Sequence, residues 1–346
     1  MVGASGNVGT SLLGALAGER SVRSVLGVAR RVPSQPPGNA EWAAADIGSD
    51  ELVPHFRGAD VVVHLGWLFQ PTRDPITTWR ENAVGSRRVF RAVADAGVPA
   101  LVHASSVGAY SPGPASDEPV DENWPTDGWP TASYSREKAY VERALDSFER
   151  EYPDRRVVRL RPAFIFKRGA ATAQRRLFAG PFLPNRLVRP GLVPVVPHVP
   201  GLRFQAVHTD DIAEAYRLAI VGSVRGAFNI AASPVIDTEL LAELLDARPV
   251  RTPSVAVRAA LATAWRLRLT PASPWLYDLA RHLPLMNVSR ARAELGWTPR
   301  HSATDAIREF LAGLRTGQGL DTPPLDPATS GPLRSREITT GVGKKP

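Results

Sequence analysis

The sequence predicts an α/β fold: a doubly wound parallel sheet with helices on both faces, joined to a smaller, mostly helical C-terminal part. Three observations predict it. The N-terminal half alternates short apolar runs with longer stretches of helical spacing. A glycine-spaced loop, Gly3-Ala4-Ser5-Gly6-Asn7-Val8-Gly9, stands at the start and leads into a helical pattern at about Thr10–Glu19. After Pro162 the rhythm loosens into a stretch rich in Pro, Arg and Leu. Strand and helix alternating at this pitch mean a parallel sheet covered on both faces.

Ser24 to Ala29 reads as a strand, and Ala59 to Leu65, with Val61-Val62-Val63, as a buried one. Thr78 to Ala96 has helical spacing, with Val89, Phe90, Val93 and Ala96 on or near one stripe. Ala100 to Ala104 is the next strand, Ala132 to Arg150 a helix, and Arg156 to Leu160 the strand after it. Phe204 to Val207 and Ala227 to Ile230 are strand-like, and a helix over Asp210–Val221 lies between them. Helices are expected over 238–247, 254–269, 274–284 and 302–314. From Thr316 onward Gly, Pro, Ser and Thr dominate, so a loose tail over 316–346 is expected.

Bulk properties narrow the function. Hydrophobic residues make up 43% and charged residues 22% of 346, which is globular composition rather than disorder. The absence of cysteine excludes disulfides, thiolate metal sites and thiol nucleophiles. No window approaches ~18 uninterrupted apolar residues, so no membrane partner is expected. Glycines and Asn7 stand where a signal peptide would have its apolar core, so a cytoplasmic protein is the expectation. The net charge of +8 reads either as solubility with an arginine bias or as attraction of anions such as a dinucleotide or nucleotide-sugar. The positive charge is spread along the chain with no helix-turn-helix, zinc finger or basic-aromatic stripe, so no nucleic-acid partner is expected.

The glycine loop has the form of a pyrophosphate cradle. Gly3 permits a tight turn, Gly6 lets backbone approach phosphate oxygens, and Gly9 lets the helix pack close to the sheet. Free amides at the helix start then receive the pyrophosphate. Arg30 and Arg31 come after the next strand, where an acidic residue would hold the ribose of NAD. Two guanidinium groups there favour NADP, with NAD the alternative, unless both are simply solvated. Asp46-Ile47 could sit near the adenine edge, with Asp46 accepting the exocyclic amine. No spacing of His, Asp and Glu suggests a metal.

Tyr134 and Lys138 are four residues apart and share a helix face. A nearby ammonium is expected to lower the phenol's pKa and ready it for proton transfer near neutral pH. Ser105-Ser106 ends the Ala100–Ala104 strand, at the sheet edge where ligands of parallel sheets bind. A hydroxyl there can hold a substrate oxygen that alternates between alcohol and carbonyl. The competing readings are an incidental surface Tyr/Lys spacing and a serine that only caps a turn. His64 reads as structural.

These residues together resemble the extended short-chain dehydrogenase/reductases of the NAD-dependent epimerase/dehydratase type. The resemblance runs from Gly3 to about Phe310. It is carried by Gly3–Gly9, Asp46-Ile47, His64-Leu65-Gly66, Asn82-Ala83-Val84-Gly85, Ser105-Ser106 with Tyr110, Tyr134–Lys138, Arg161-Pro162, His208–Ala213 and Leu295-Gly296-Trp297. It implies a Rossmann-like doubly wound parallel sheet over a dinucleotide-binding domain, 1–162. A substrate-binding part over 163–315 would come next, with segments at about 204–230 returning to the main sheet. Tyr134 would be the general acid/base, Lys138 its electrostatic partner and Ser106 the catalytic hydroxyl. Cofactor contacts would come from Gly3, Ser5, Gly6, Asn7, Val8, Gly9, Arg30, Arg31, Asp46, Ile47, Leu65, Gly66, Asn82, Tyr134, Lys138 and Arg161. The Asp210-Asp211 helix start would be chiefly structural. Relatives commonly dimerise through helices matching 78–96 and 132–150.

The sequence departs from that pattern in three ways. Only Met1 and Val2 precede the glycine loop, so the first strand, central in the sheet, is largely missing. Its neighbours would lose backbone partners, and a start codon placed too far downstream or a shortened chain is the expected cause. Phe166-Lys167-Arg168-Gly169 stands where relatives often have a small glycine-rich turn, implying a changed substrate pocket. Residues 163–205 and 248–290 show no sugar-nucleotide signature. Val107-Gly108 after Ser106 disfavours dehydration, since relatives with that chemistry tend to place Asp-Glu there. The expected function is NAD(P)-dependent oxidation–reduction or epimerisation of a nucleotide-sugar or similar bulky substrate. The alternative is a non-catalytic NADP-binding redox sensor or scaffold.

Overall fold

The computed structural model describes residues 1–35, 37–185 and 188–345. In chain order its strands are β1 (Leu26–Ala29), β2 (Glu41–Ala44), β3 (Val61–His64), β4 (Ala100–Ala104), β5 (Arg156–Pro162), β6 (Phe164–Phe166), β7 (Val195–His198), β8 (Arg203–His208), β9 (Gly226–Ile230), β10 (Ala232–Asp237) and β11 (Arg248–Arg251). The helices of the first half are α1 (Asn7–Ala17), α2 (Val53–Phe56), α3 (Pro75–Trp79), α4 (Gly85–Asp95) and α5 (Ser133–Glu151). Those of the second half are α6 (Ala171–Phe178), α7 (Thr209–Val221), α8 (Thr238–Leu244), α9 (Ser254–Arg266), α10 (Pro274–His282), α11 (Ser289–Ala293), α12 (Ala303–Thr316) and α13 (Ser335–Thr339).

The strands β3, β4, β5 and β9 form one parallel block, and β1 and β2 another. The first three residues stitch the blocks together. Val2 forms parallel bridges to both Val28 and His64. Its amide donates to Val63 O at 2.8 Å, its carbonyl accepts from Leu65 N at 2.9 Å, and Gly3 N donates to Val28 O at 2.9 Å. The shortened first strand therefore still supplies the backbone partners that its neighbours were expected to lack at this level. The sheet order becomes β2-β1-Val2-β3-β4-β5-β9, with the crossover in order at Val2.

Both sheet faces are buried. Leu12 and Leu16 of α1 and Ile212 and Tyr216 of α7 pack against Val63, Val102, Val158 and Phe228 on one side. Val89, Phe90 and Val93 of α4 and Val141 and Leu145 of α5 pack against Val28, Val62, Leu101 and Val157 on the other. The β-branched run in β3 suits a strand buried on both faces. The helix expected over 78–96 is three pieces: α3, a π-helical turn at Arg80–Val84, and α4. That wide turn carries Asn82, which is buried and bonded across the fold.

The second half differs in detail from the sequence expectation. The segment Gly226–Ile230 does return to the main sheet, beside β5. The segment Arg203–His208 does not: it pairs with β6 and β10 in a separate three-stranded sheet. A parallel pair, β7 and β11, was not visible in the sequence. Arg186 and Leu187 of the 163–205 stretch lie outside the described residues. Helix α12 starts with a Ser302/Asp305 capping box and stops at Gly317, whose φ is +68°.

The tail expected to be loose is packed. Leu320 and Leu325 lie on Ala170 and Ala173, and Glu337 forms a buried ion pair with Arg175 of α6. Composition suggested disorder because the tail's partners, two buried arginines on α6, are distant in sequence. No helix among the described residues is long and apolar enough to cross a membrane.

Candidate active site and cofactor groove

The glycine loop is built by steric necessity at two positions and left open at the third. Gly3 has φ +82°, and a Cβ there would lie 2.7 Å from Gly66 N. A Cβ on Gly9 would lie 2.5 Å from the carbonyls of Gly3 and Ala4. A Cβ on Gly6 would meet only Gly3 O, at 3.3 Å. Gly6 is also the N-cap of α1 and offers no side-chain cap, so the first amides of the helix keep their hydrogen-bonding capacity. A helix start with uncapped amides beside a bare Cα suits a phosphate. Ser5, Asn7 and Val8 lie in this loop. The carbonyl of Asn7 and the hydroxyls of Thr10 and Ser11 are taken by Lys167 Nζ, at 2.8, 2.8 and 3.2 Å. Lys167 thus braces α1 rather than altering a substrate pocket, because these oxygens capture its buried ammonium.

Leu65 and Gly66 leave β3 directly beside Gly3. Asn82 clamps the chain at Leu68: its side-chain oxygen accepts from Leu68 N at 2.7 Å and its Nδ2 donates to Leu68 O at 2.8 Å. Nδ2 also donates to Glu137 Oε2 at 2.7 Å, while Thr78 donates to Oε1 at 2.7 Å. Glu137 is 2% exposed, between Tyr134 and Lys138. It was missed because a Glu next to a Lys in a helix reads as a solvated face.

The reactive centre joins three elements. Ser106 comes just after β4 and its Oγ accepts from Gly108 N at 3.0 Å and from Tyr134 Oη at 2.9 Å. A serine hydroxyl has two acceptor sites and one proton to give, so that proton stays free for a substrate oxygen. Gly108 makes the approach feasible: a Cβ there would lie 2.7 Å from Tyr134 Cε1. Ser135 pins the same turn to α5 by donating to Gly108 O at 2.6 Å. Phe69 stacks on Tyr134 with centroids 5.6 Å apart, and Trp67 meets its edge at 5.8 Å. Neither aromatic was singled out in the sequence.

Lys138 donates to Ala104 O at 2.7 Å and lies 3.5 Å over the Trp67 ring. Burial draws its ammonium down to about 7. Burial also pushes the Tyr134 phenol up to about 12, with Ser106 pulling the other way. The expected depression of the phenol by Lys138 is corrected here: desolvation dominates, Glu137 adds to it, and the only opposing influence is the hydrogen bond to Ser106.

Arg161 is corrected too. Its Nε and Nη2 donate to Glu142 at 2.9 and 3.0 Å, and its Nη1 donates to Tyr110 Oη and Glu122 O at 2.9 and 2.8 Å. Every arm is engaged beneath the sheet, so Arg161 is structural. Glu142, which also takes Arg159 at 2.8 Å and Ser105, is the buried carboxylate that captures it. His64 is fully buried, bonded to Ser86 and drawn down to about 3 by burial, so it is neutral and structural. Asp211 accepts the amides of Arg300 and His301, which fits the structural role expected of that helix start.

Arg30 and Arg31 are exposed after β1, with Arg30 3.8 Å from Glu81. Asp46 accepts from Gly48 N at 2.9 Å, and Ile47 packs against Gly85.

A profile of the NAD dependent epimerase/dehydratase family matches residues 1–231. The chain belongs to that family. Among solved structures, MoeE5 in complex with UDP-glucuronic acid and NAD superposes with a TM-score of 0.64 at 22% identity, over 91% of this chain and 98% of that one. UDP-glucose 4-epimerase of Thermus thermophilus in complex with NAD superposes at 0.66 and 20% identity, over 91% and 97%. The uncharacterized protein Rv2047c of Mycobacterium tuberculosis is 27% identical over 327 residues. That alignment takes in 92% of this chain but only 30% of the relative, so the chain spans about a third of the length of the curated relatives it first matches.

Proposed function

We propose that this member of the epimerase/dehydratase family is an NAD(P)-dependent oxidoreductase or epimerase acting on the carbonyl or alcohol of a nucleotide-sugar or similar bulky substrate. The observation that carries the reading is the 2.9 Å contact between Tyr134 Oη and Ser106 Oγ at the carboxyl end of β4. The glycine cradle fits the dinucleotide: Gly3–Gly9 would hold the pyrophosphate, Leu65, Gly66 and Asn82 the path toward the nicotinamide, and Asp46 and Ile47 the adenine edge. When bound, the nicotinamide supplies or accepts hydride. Tyr134, with its phenol protonated throughout the neutral range, gives a proton to the substrate oxygen or takes one back through the chain's own hydrogen bonds. Ser106 donates to the same oxygen. Lys138 offers its amine to the nicotinamide ribose.

MoeE5 and the Thermus thermophilus epimerase are complexes with NAD, whereas Arg30 and Arg31 favour the extra phosphate of NADP. Fluorescence titration with NADH and NADPH tests both readings. Arg30→Ala should weaken NADPH more than NADH, and equal effects would remove the NADP preference. Failure of both cofactors to bind would remove the oxidoreductase reading. Turnover of UDP-glucose or UDP-glucuronic acid separates an enzyme from a sensor.

A homodimer through α3–α4 and α5 belongs to the same reading. Ile76, Trp79 and Val84 are 70, 38 and 42% exposed along that face. Light scattering should give twice the chain mass, and Trp79→Glu should lower it. A monomeric wild type would remove the interface.

A further inference from the structure

The chain after Gly317 returns from α12 to the start of the fold. Thr322 Oγ1 donates to the carbonyl of Ser5, inside the glycine loop, at 2.8 Å, and both residues are buried. Further on, Gly343 O accepts from Thr72 N at 2.8 Å. Thr72 lies in the loop that leaves β3 beside Gly3 and carries Trp67 onto Lys138 and Phe69 onto Tyr134. One segment thus bonds to two loops: the one to which the proposed function gives the pyrophosphate, and the one that leads toward the reactive centre.

Between these contacts the segment is fastened to α6 and the turn before it. Leu320 and Leu325 pack on Ala170 and Ala173. Arg176 Nη2 donates to Pro324 O at 2.7 Å, and Arg175 holds Glu337 in a buried ion pair. The fastenings differ in weight. A buried ion pair is costly to break, whereas a single neutral hydrogen bond contributes little. The segment is therefore held firmly on α6 and lightly at Ser5 and Thr72.

We propose that residues 318–345 are a strap that gates the dinucleotide site: the contacts at Ser5 and Thr72 open to admit the cofactor and close again over it. The identity of the ligand rests on the cofactor reading above. A ligand admitted only by the open state is taken up no faster than the strap opens, and its affinity falls with the open fraction. Closure over the bound ligand also slows its escape.

The absence of cysteine lets the strap be locked without competing thiols. A Cβ placed on Gly343 lies 3.6 Å from Thr72 Cβ, inside the span of about 3.5–4.5 Å that a disulfide bridges. Thr72→Cys combined with Gly343→Cys in the full chain therefore ties the strap to the loop after β3 on oxidation. The reduced form of the same variant carries the same strain at position 343, where φ is +86°, and is the control. Stopped-flow fluorescence with NADH and NADPH should show uptake at least about tenfold slower in the oxidised form, restored by dithiothreitol. Cofactor bound before oxidation should stay with the protein through gel filtration. Thr322→Val, which keeps the shape and loses the donor, should speed uptake several-fold and guards against misfolding of the double variant. Equal uptake by the oxidised and reduced forms, unchanged uptake by Thr322→Val, or failure of the two cysteines to join overturns the strap and leaves the cofactor reading intact. No binding of either dinucleotide by the wild type and the reduced variant overturns both.

Discussion

The hydroxyls of Tyr134 and Ser106 stand 2.9 Å apart although the residues lie on different elements, one in the first turn of α5 and one just beyond β4. The contact leaves Ser106 with one unused proton, aimed at whatever oxygen enters. Tyr134→Phe removes the proton that is transferred, and turnover should fall by about 10²-fold or more with cofactor affinity kept. Steady-state kinetics beside a cofactor titration measure the two separately. Unchanged turnover would take Tyr134 out of the mechanism.

Gly108 sets the position of that phenol. A methyl group there would meet the Tyr134 ring at 2.7 Å, so Gly108→Ala should push the ring away from Ser106. Displacement of a reacting group by roughly 1 Å can cost about 10²-fold in rate. The expected result is a lower kcat with the circular dichroism spectrum and cofactor affinity of the wild type. A fully active alanine variant would show that the turn is free to shift.

Glu142 joins Arg159, Arg161 and Ser105 under the site. The flanking arginines overcome its burial and hold its carboxyl down to about 2. Glu142→Gln leaves the buried Arg161 guanidinium without its carboxylate, while Arg159 keeps Asp146 and Glu149, and should cost about 3 kcal/mol or more in urea unfolding. Because the folded pKa is depressed, the wild type keeps this stabilisation above the ordinary carboxylate range and loses it only as pH falls toward about 2. A variant with wild-type stability at pH 7 would contradict the assignment.

Lys138 acts in the opposite sense. Its folded pKa of about 7 lies below the ordinary 10.5, so between those values the unfolded chain holds a proton that the folded chain has shed. The penalty is complete below about 7 and fades as pH rises toward 10.5, so stability climbs through that window. Lys138→Met should therefore gain melting temperature relative to the wild type at pH 6, and the gain should shrink by pH 9. A difference that does not change with pH would show that Lys138 is not held near neutrality.

Much of the fold was legible because its signals are local. The run Val61-Val62-Val63 announces a buried strand, and the stripe through Val89, Phe90 and Val93 announces a helix face. Gly3 and Gly9 were readable as a close-packed loop because side chains cannot be accommodated there. Ser106, Tyr134 and Lys138 were readable from spacing and from their place at a strand end. Arg161 and Lys167 were not: their type suggested anion or substrate contacts, and only the fold shows Glu142 capturing one and α1 the other. The tail was misjudged for the same reason, since its order depends on Arg175 and Arg176 rather than on its own composition.

By itself the sequence determined the succession of strands and helices, the close-packed glycine loop and the placement of Ser106, Tyr134 and Lys138 at the carboxyl end of β4. Those come from backbone sterics and side-chain periodicity, which act over a few residues. The tertiary structure alone decided which charges are neutralised internally, where the strap lies, and that Tyr134 is desolvated beneath Phe69 and Trp67. Those depend on partners brought together from distant parts of the chain, and electrostatics and burial are properties of that assembled neighbourhood.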